Sequence, residues 1–181
     1  MIFSTTNLSG VYVIELEPRA DERGFFARSW CEREFAAHGL SAEIAQINVG
    51  FSARRGTVRG MHYQVAPRAE AKTVRCTRGA IYDVAVDLRP GSSTYKGWVG
   101  LELTAQNRRT LYIPEGCAHG YQTLADDTEM CYQTSQPYTP ECTRGVRYDD
   151  AAFRISWPVA VTSVSHADRS WPDYQDERVP A

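Results

Sequence analysis

The sequence has no apolar run of membrane-spanning length, which excludes membrane-spanning helices. Its opening residues, Met1-Ile2-Phe3-Ser4-Thr5-Thr6, show no charged region followed by an apolar one, so no signal-peptide pattern is present. No CxxC spacing occurs among the five cysteines (Cys31, Cys76, Cys117, Cys131, Cys142). An odd, unspaced set argues against a disulfide frame or a zinc site and for reduced thiols in a cytoplasmic protein. There is no internal repeat, low-complexity tract or linker-like composition. Net charge is small, −2, and gives no reason to expect nucleic acid or a membrane surface as partner. What remains is ordinary globular composition, 43% hydrophobic and 23% charged, over 181 residues, enough for one domain, 1–181, with a full core.

Against that near-neutral background, positive charge is concentrated between Arg54 and Arg78. Arg54, Arg55, Arg59, Arg68, Lys72, Arg75 and Arg78 stand there against one acid, Glu70. The cluster suits a diphosphate. The one histidine and one lysine within it, His62 and Lys72, are candidates to act on whatever the diphosphate carries.

Along the chain, residues 11–14 read as a strand that ends at Pro18 and the polar turn Asp21-Glu22-Arg23-Gly24. Ser29 and Glu32 have the spacing of a capping box, and Gly39 suits a C-terminal stop, which predicts one helix over residues 30–38. From Ile44 the pattern turns to short β-rich runs, expected at 44–49, 57–64, 71–77, 80–88, 97–104, 110–113, 119–124 and 129–136. Such spacing without intervening helices signals a β-sandwich or barrel. A single jelly-roll-like domain is the economical reading.

Strand alternation puts Lys72 with Val74 and Cys76 on the more apolar face, where a lysine is costly unless an anion meets it. An edge lysine whose stem covers apolar surface would read the same way. His62 shares a face with Val58, Gly60 and Gln64, as a hydrogen-bonded structural histidine also would; Gly60 beside it leaves room for a close approach. His119 ends the tight loop Ile113-Pro114-Glu115-Gly116-Cys117-Ala118. Tyr132 alternates with Met130, as core tyrosines do, and Asp168 reads as a helix-start or surface acid. With four histidines in all, and Gln64 and Tyr121 two residues beyond the inner ones, the paired histidines of a metal-binding jelly roll are missing. A metal held by His62 and His119 is the competing reading.

Taken together, the segments resemble the dTDP-4-dehydrorhamnose 3,5-epimerase family. The resemblance is carried by Asp21-Glu22-Arg23-Gly24-Phe25-Phe26, Gln46-Ile47-Asn48, Val58-Arg59-Gly60-Met61-His62-Tyr63-Gln64 and Lys72-Thr73-Val74-Arg75-Cys76. It continues through Gly79 to Asp87, Ile113 to Gly120, Tyr132-Gln133-Thr134, Arg144-Gly145 and Asp149-Asp150, and spans roughly residues 10–168. It implies a cupin-like jelly roll with a short N-terminal helix, a homodimer, no metal or organic cofactor, and a nucleotide-diphosphate sugar as substrate. It further implies His62 as general base, Asp168 as the acid that orients it, and Tyr132 as general acid on the opposite face. Lys72 and His119 would flank the sugar, Arg23 and Arg59 the diphosphate, and Gln46, Asn48 and Phe26 the nucleoside.

The residue types suit that chemistry. A carbon beside a ketone loses its proton only if the enolate is stabilised, which a preorganised ammonium supplies. A histidine titrates near neutral pH, and inversion needs a second acid on the other face. The chain departs from the family pattern at Arg28, where glutamate is usual; at Cys142-Thr143, where many members have His-Glu; and at Ala167, where lysine is frequent. These departures fall on the nucleotide side. They leave the carrier base open, and with it whether C3, C5 or both invert. A non-catalytic cupin that only binds a sugar nucleotide is the remaining alternative.

Overall fold

The computed structural model describes residues 1–175. In chain order its strands are β1 (Ile2–Thr5), β2 (Tyr12–Glu15), β3 (Arg19–Asp21), β4 (Gly24–Phe26), β5 (Gln46–Ser52), β6 (Thr57–Gln64) and β7 (Lys72–Arg78). They continue as β8 (Ala80–Asp87), β9 (Trp98–Thr104), β10 (Thr110–Ile113), β11 (Cys117–Thr123), β12 (Thr128–Thr134), β13 (Thr143–Gly145) and β14 (Ser163–Val164). Two short helices, α1 (Glu32–Ala37) and α2 (His166–Arg169), accompany them.

One sheet runs β1-β2-β10-β7-β12-β5 and the other β13-β6-β11-β8-β9, with β14 joined in parallel to β6. Partners far apart in sequence, such as β6 with β11 and β7 with β12, make the crossovers of a jelly roll. The two sheets face each other over Val74, Leu111 and Met130 from the first and Ile81, Ala85 and Leu103 from the second. Each such side chain, once buried, contributes about 1.5–3 kcal/mol before conformational entropy is counted. This is the two-sheet, all-β architecture that the strand spacing implied, and the cupin-like jelly roll that the resemblance implied.

Helix α1 is shorter than the expected 30–38, and its capping box does not form. Cys31 occupies the N-cap with no side-chain hydrogen bond. Tertiary burial holds the helix instead: Phe35, 1% exposed, meets Phe3 and Tyr112 edge-on at centroid distances of 5.6 and 6.0 Å on the outside of the first sheet. Gly39, with φ +70°, does end the helix. Strands β6 and β10 have the expected bounds, whereas β5 starts later and runs to Ser52. Its alternation explains the shift: Gln46, Asn48 and Gly50 turn inward while Ile47, Val49 and Phe51 stand exposed on the outer face of an edge strand. Strands β1, β13 and β14 and the β3–β4 hairpin have no counterpart among the expected elements. They are two to four residues long and exist only through their partners.

Candidate active site

His62 projects from β6, and its partner arrives from 106 residues downstream. Strand β14 lies along the start of β6, pairing Ser163 with Thr57 and Val164 with Val58, and leads directly into α2. Ser165 caps that helix by accepting the Asp168 N–H at 3.0 Å. Asp168 is thereby set beneath His62, whose Nε2–H donates to Oδ1 at 2.7 Å, while Oδ2 accepts the Gly60 N–H at 3.3 Å. The imidazole is 42% exposed and the carboxylate 8%. Burial works against the Asp168 charge, but the hydrogen bonds from His62, Gly60 and Ser165 outweigh it and hold the carboxyl below its ordinary value. Gly60 serves packing rather than the expected close approach of a ligand. At φ +117°, a Cβ there would lie 2.6 Å from the Gly120 Cα and 2.7 Å from the His119 carbonyl oxygen on β11.

His119 stands directly opposite His62 in the β6–β11 register. Its Nε2–H donates to Asp83 Oδ1 at 2.7 Å, deep between the sheets, where Asp83 Oδ2 has no hydrogen-bond partner among the described residues. Lys72, at the start of β7, is buried. Its Nζ donates to the His62 carbonyl oxygen at 3.1 Å and pairs with Glu70 Oε1 at 3.2 Å. Burial pushes the ammonium down from its ordinary value, and Glu70, then more distant Asp83, pull it part of the way back. Tyr132 points inward from β12, in register with Asn48 on β5 and Val74 on β7. Burial, with Glu70's charge adding to it, raises the phenol, which therefore stays protonated at neutral pH.

These groups line one cleft between the sheets, made of two adjoining lobes of about 570 and 580 Å³. His62, Lys72, Tyr132 and Asp168 border both lobes and so mark their junction. The first lobe adds His119, Arg59, Tyr121 and Met130; the second adds Gln46, Asn48, Glu70, Tyr138 and Trp171. Thr143 and Ala167, two of the three departures from the family pattern, also face the second lobe. The basic cluster is not one site: only Arg59 and Lys72 reach the cleft, because alternation sends Arg75 to the outer face of β7. Arg59 donates from Nε to Ser52 Oγ at 3.1 Å and from a terminal guanidinium nitrogen to the Phe51 carbonyl at 2.9 Å.

Arg23 and Phe26 stand apart from this cleft. Both lie on the exposed β3–β4 hairpin, Arg23 paired with Asp21 at 2.6 Å and Phe26 76% exposed beside Arg28 in a separate recess. Conversely, sequence reasoning passed over Asp83, Glu70, Tyr138 and Trp171. Asp83 was signalled as the one mid-strand acid in the apolar run 80–86, and Glu70 as the lone acid two residues before a lysine in need of an anion. Nothing in the turn around Pro137 pointed to Tyr138. As for a metal, each inner histidine is already bonded to its own carboxylate, and the described residues contain no group of three or more His, Cys, Asp or Glu placed to hold an ion.

The structure is thus a cupin-like jelly roll whose opposed sheets present an imidazole–carboxylate pair and a protonated phenol to one cleft, groups of the kind that transfer protons. A family model described as dTDP-4-dehydrorhamnose 3,5-epimerase matches residues 5–176. The chain is 43% identical over 173 residues to the dTDP-4-dehydrorhamnose 3,5-epimerase of Sinorhizobium fredii, covering 95% of this chain and 89% of that one. It superposes on the crystal structure of dTDP-4-dehydrorhamnose 3,5-epimerase from Elizabethkingia anophelis with a TM-score of 0.94, 34% identity and 98% coverage of both chains. It also superposes on dTDP-6-deoxy-D-glucose-3,5-epimerase from Legionella pneumophila, solved with dTDP-4-keto-L-rhamnose, with a TM-score of 0.86, 31% identity and coverage of 97% and 99%. The chain belongs to the dTDP-4-dehydrorhamnose 3,5-epimerase family.

Proposed function

We propose that this protein inverts C3, C5 or both in a nucleotide-diphosphate-linked 4-keto-6-deoxyhexose, dTDP-4-dehydro-6-deoxyglucose foremost, as a step of deoxysugar biosynthesis. The observation that carries the reading is that His62, paired with Asp168 of α2, comes from one sheet and Tyr132 from the other, with Lys72, on the strand beside Tyr132's, at the same junction of the lobes. In this reading the sugar ring occupies that junction. His62 takes the proton from the carbon beside the ketone, and Asp168 fixes the ring with Nε2–H so that Nδ1 is the basic atom. The Lys72 ammonium meets the oxygen on which the enolate charge develops, with His119 beside it. Tyr132 returns a proton from the opposite sheet, which inverts the centre; each proton-transfer group contributes on the order of 10²–10⁴-fold. The steps are proton transfers throughout and call for no metal or organic cofactor.

The nucleoside fits the second lobe, against Gln46, Asn48 and the Tyr138 ring. Arg59 faces it across the junction, its Nε and one terminal nitrogen bonded to Ser52 and the Phe51 carbonyl, and its remaining guanidinium N–H groups are donors for the diphosphate. Arg23 and Phe26 bind substrate, in this reading, from the exposed hairpin of a second copy in a homodimer. The apolar outer face and open edge of β5 supply a surface for such pairing.

The test is a panel of 4-keto sugar nucleotides followed by proton NMR in D₂O. Exchange of deuterium into C3 or C5, lost in His62→Ala while nucleotide affinity stays within about threefold, is the expected outcome. If no member of the panel exchanges, the protein is a binder rather than an epimerase; if H62A loses affinity as steeply as rate, His62 is structural.

A further inference from the structure

Lys72 is one of only two lysines in the chain, with Lys96, and it is placed where an ammonium is hardest to keep. It is 8% exposed at the head of β7, and the groups sharing its surroundings come from every neighbouring element. They are His62 on β6, Asp83 on β8, His119 on β11, Tyr132 on β12, Asp168 on α2 and Glu70 on the loop before β7, with Arg59 in the same lobe. Among the described residues only Glu70 lies at ion-pair distance from Nζ, 3.2 Å. The carboxylates of Asp83 and Asp168 are already engaged by their own imidazoles.

Glu70 is itself held for this purpose. Its side chain is 9% exposed, and Oε2 lies 3.3 Å from Gln64 Nε2 while Oε1 faces the lysine. The two N–H groups of that amide are shared among Glu70 and the closer Arg68 and Pro137 carbonyls, at 3.0 and 3.2 Å, while its oxygen accepts the Thr139 N–H at 2.6 Å. A carboxylate buried in the cleft is at first sight opposed to the chemistry, because negative charge near the sugar disfavours an enolate. Its placement makes sense if the lysine would otherwise lose its proton to burial, since a neutral amine stabilises an enolate far less than an ammonium.

We propose that Glu70 is a positioning residue of the reaction, acting through Lys72 by keeping the buried amine ionised and aimed at the junction of the two lobes. The proposal rests on the reading of Lys72 given above. Its consequence is a dependence on pH with a definite sign. Removing Glu70 takes away a contribution that raises the Lys72 ammonium, so the fraction charged falls at lower pH than in the parent. The alkaline limb of the reaction therefore moves down. Glu70 also raises the Tyr132 phenol, so the same substitution would shift that group in the same direction. Reading deuterium exchange in a Tyr132→Phe background removes the second effect, because first proton loss requires the enolate but not the phenol.

The experiment compares Y132F with Y132F/E70Q and Y132F/E70D across pH, using wash-in at C3 or C5. The E70Q rate should fall increasingly below its parent as pH rises, by roughly tenfold on the alkaline limb, with the two within about threefold at the acid end of the range and E70D intermediate. Protein carrying ¹³Cε-labelled lysine gives two lysine signals, from Lys72 and Lys96, and the Lys72 titration should move to lower pH in E70Q without any substrate present. A loss equal at every pH with no recovery in E70D, or a Lys72 signal that titrates unchanged, overturns the proposal. Absence of exchange in the parent itself would instead remove the epimerase reading, and the lysine titration would still decide whether Glu70 governs the ammonium.

Discussion

At the scale of the residue, the cleft divides labour between two sheets, and single substitutions should separate the two halves of an inversion. On the proposed mechanism His62 removes the first proton and Tyr132 takes no part in that step. Tyr132→Phe should therefore reduce net epimerisation by on the order of 10²-fold or more while deuterium wash-in falls by less than about tenfold, as read from one NMR time course. Equal damage to both would contradict an opposite-face role for the phenol. The residues themselves were unevenly legible. His62, Lys72 and Tyr132 could be placed on strand faces by alternation, and the structure keeps Lys72 on the buried face with Val74 and Cys76. Asp168 could not be paired from the sequence alone, because its partner lies 106 residues away and only the parallel β14 contact joins them. The anion that Lys72 demanded was present in the basic run all along, as Glu70, but a loop residue escapes period-two reasoning.

At the scale of the element, the joints between strands carry charge chemistry of their own. Asp87 closes β8 and is fully buried, and it organises the following loop by accepting from Arg89 Nε at 2.8 Å, Thr94 Oγ1 at 2.7 Å and Ser92 Oγ. Burial alone would push its carboxyl up; the hydrogen bonds from Arg89, Ser92 and Thr94 outweigh it and bring the value down to about 2. A carboxyl lowered on folding stabilises the protein above its unfolded value, near 4, and that contribution is lost as pH falls through about 2. Asp87→Asn should thus cost on the order of 2 kcal/mol at neutral pH, with the gap to wild type narrowing as unfolding is measured at progressively lower pH. A gap that stays constant into acid would mean that shape, not charge, holds the loop. Elements were legible where alternation ran seven or eight residues, as in β6 and β8. They were illegible where a strand of two to four residues exists only because a neighbour pairs with it, and α1 formed without the cap its sequence suggested because Phe35 found a buried seat.

At the scale of the whole molecule, Arg23 and Phe26 decide whether one copy suffices. They project on the β3–β4 hairpin away from the cleft of their own chain, while the outer face of β5 leaves Ile47, Val49 and Phe51 exposed. If they serve a second copy, H62A and Arg23→Ala should each be inactive alone yet rescue one another. After subunit exchange, random pairing restores about a quarter of wild-type activity, because half the dimers are mixed and each mixed dimer holds one intact cleft. Failure to complement, with dimers demonstrated by sedimentation, would confine every working side chain to one subunit.

The parallel docking of β14 on β6 has a further consequence for the order in which the protein becomes competent. The two sheets are otherwise complete by β13, whereas the carboxylate that steadies His62, and the stretch of cleft wall from Ser163 to Trp171, are delivered by a clip added afterwards. A nascent chain thus owns the opposed sheets before it owns a finished cleft or a paired imidazole. A cut between Gly145 and Ser163 that releases the clip would take away the carboxylate and one side of the receptacle together.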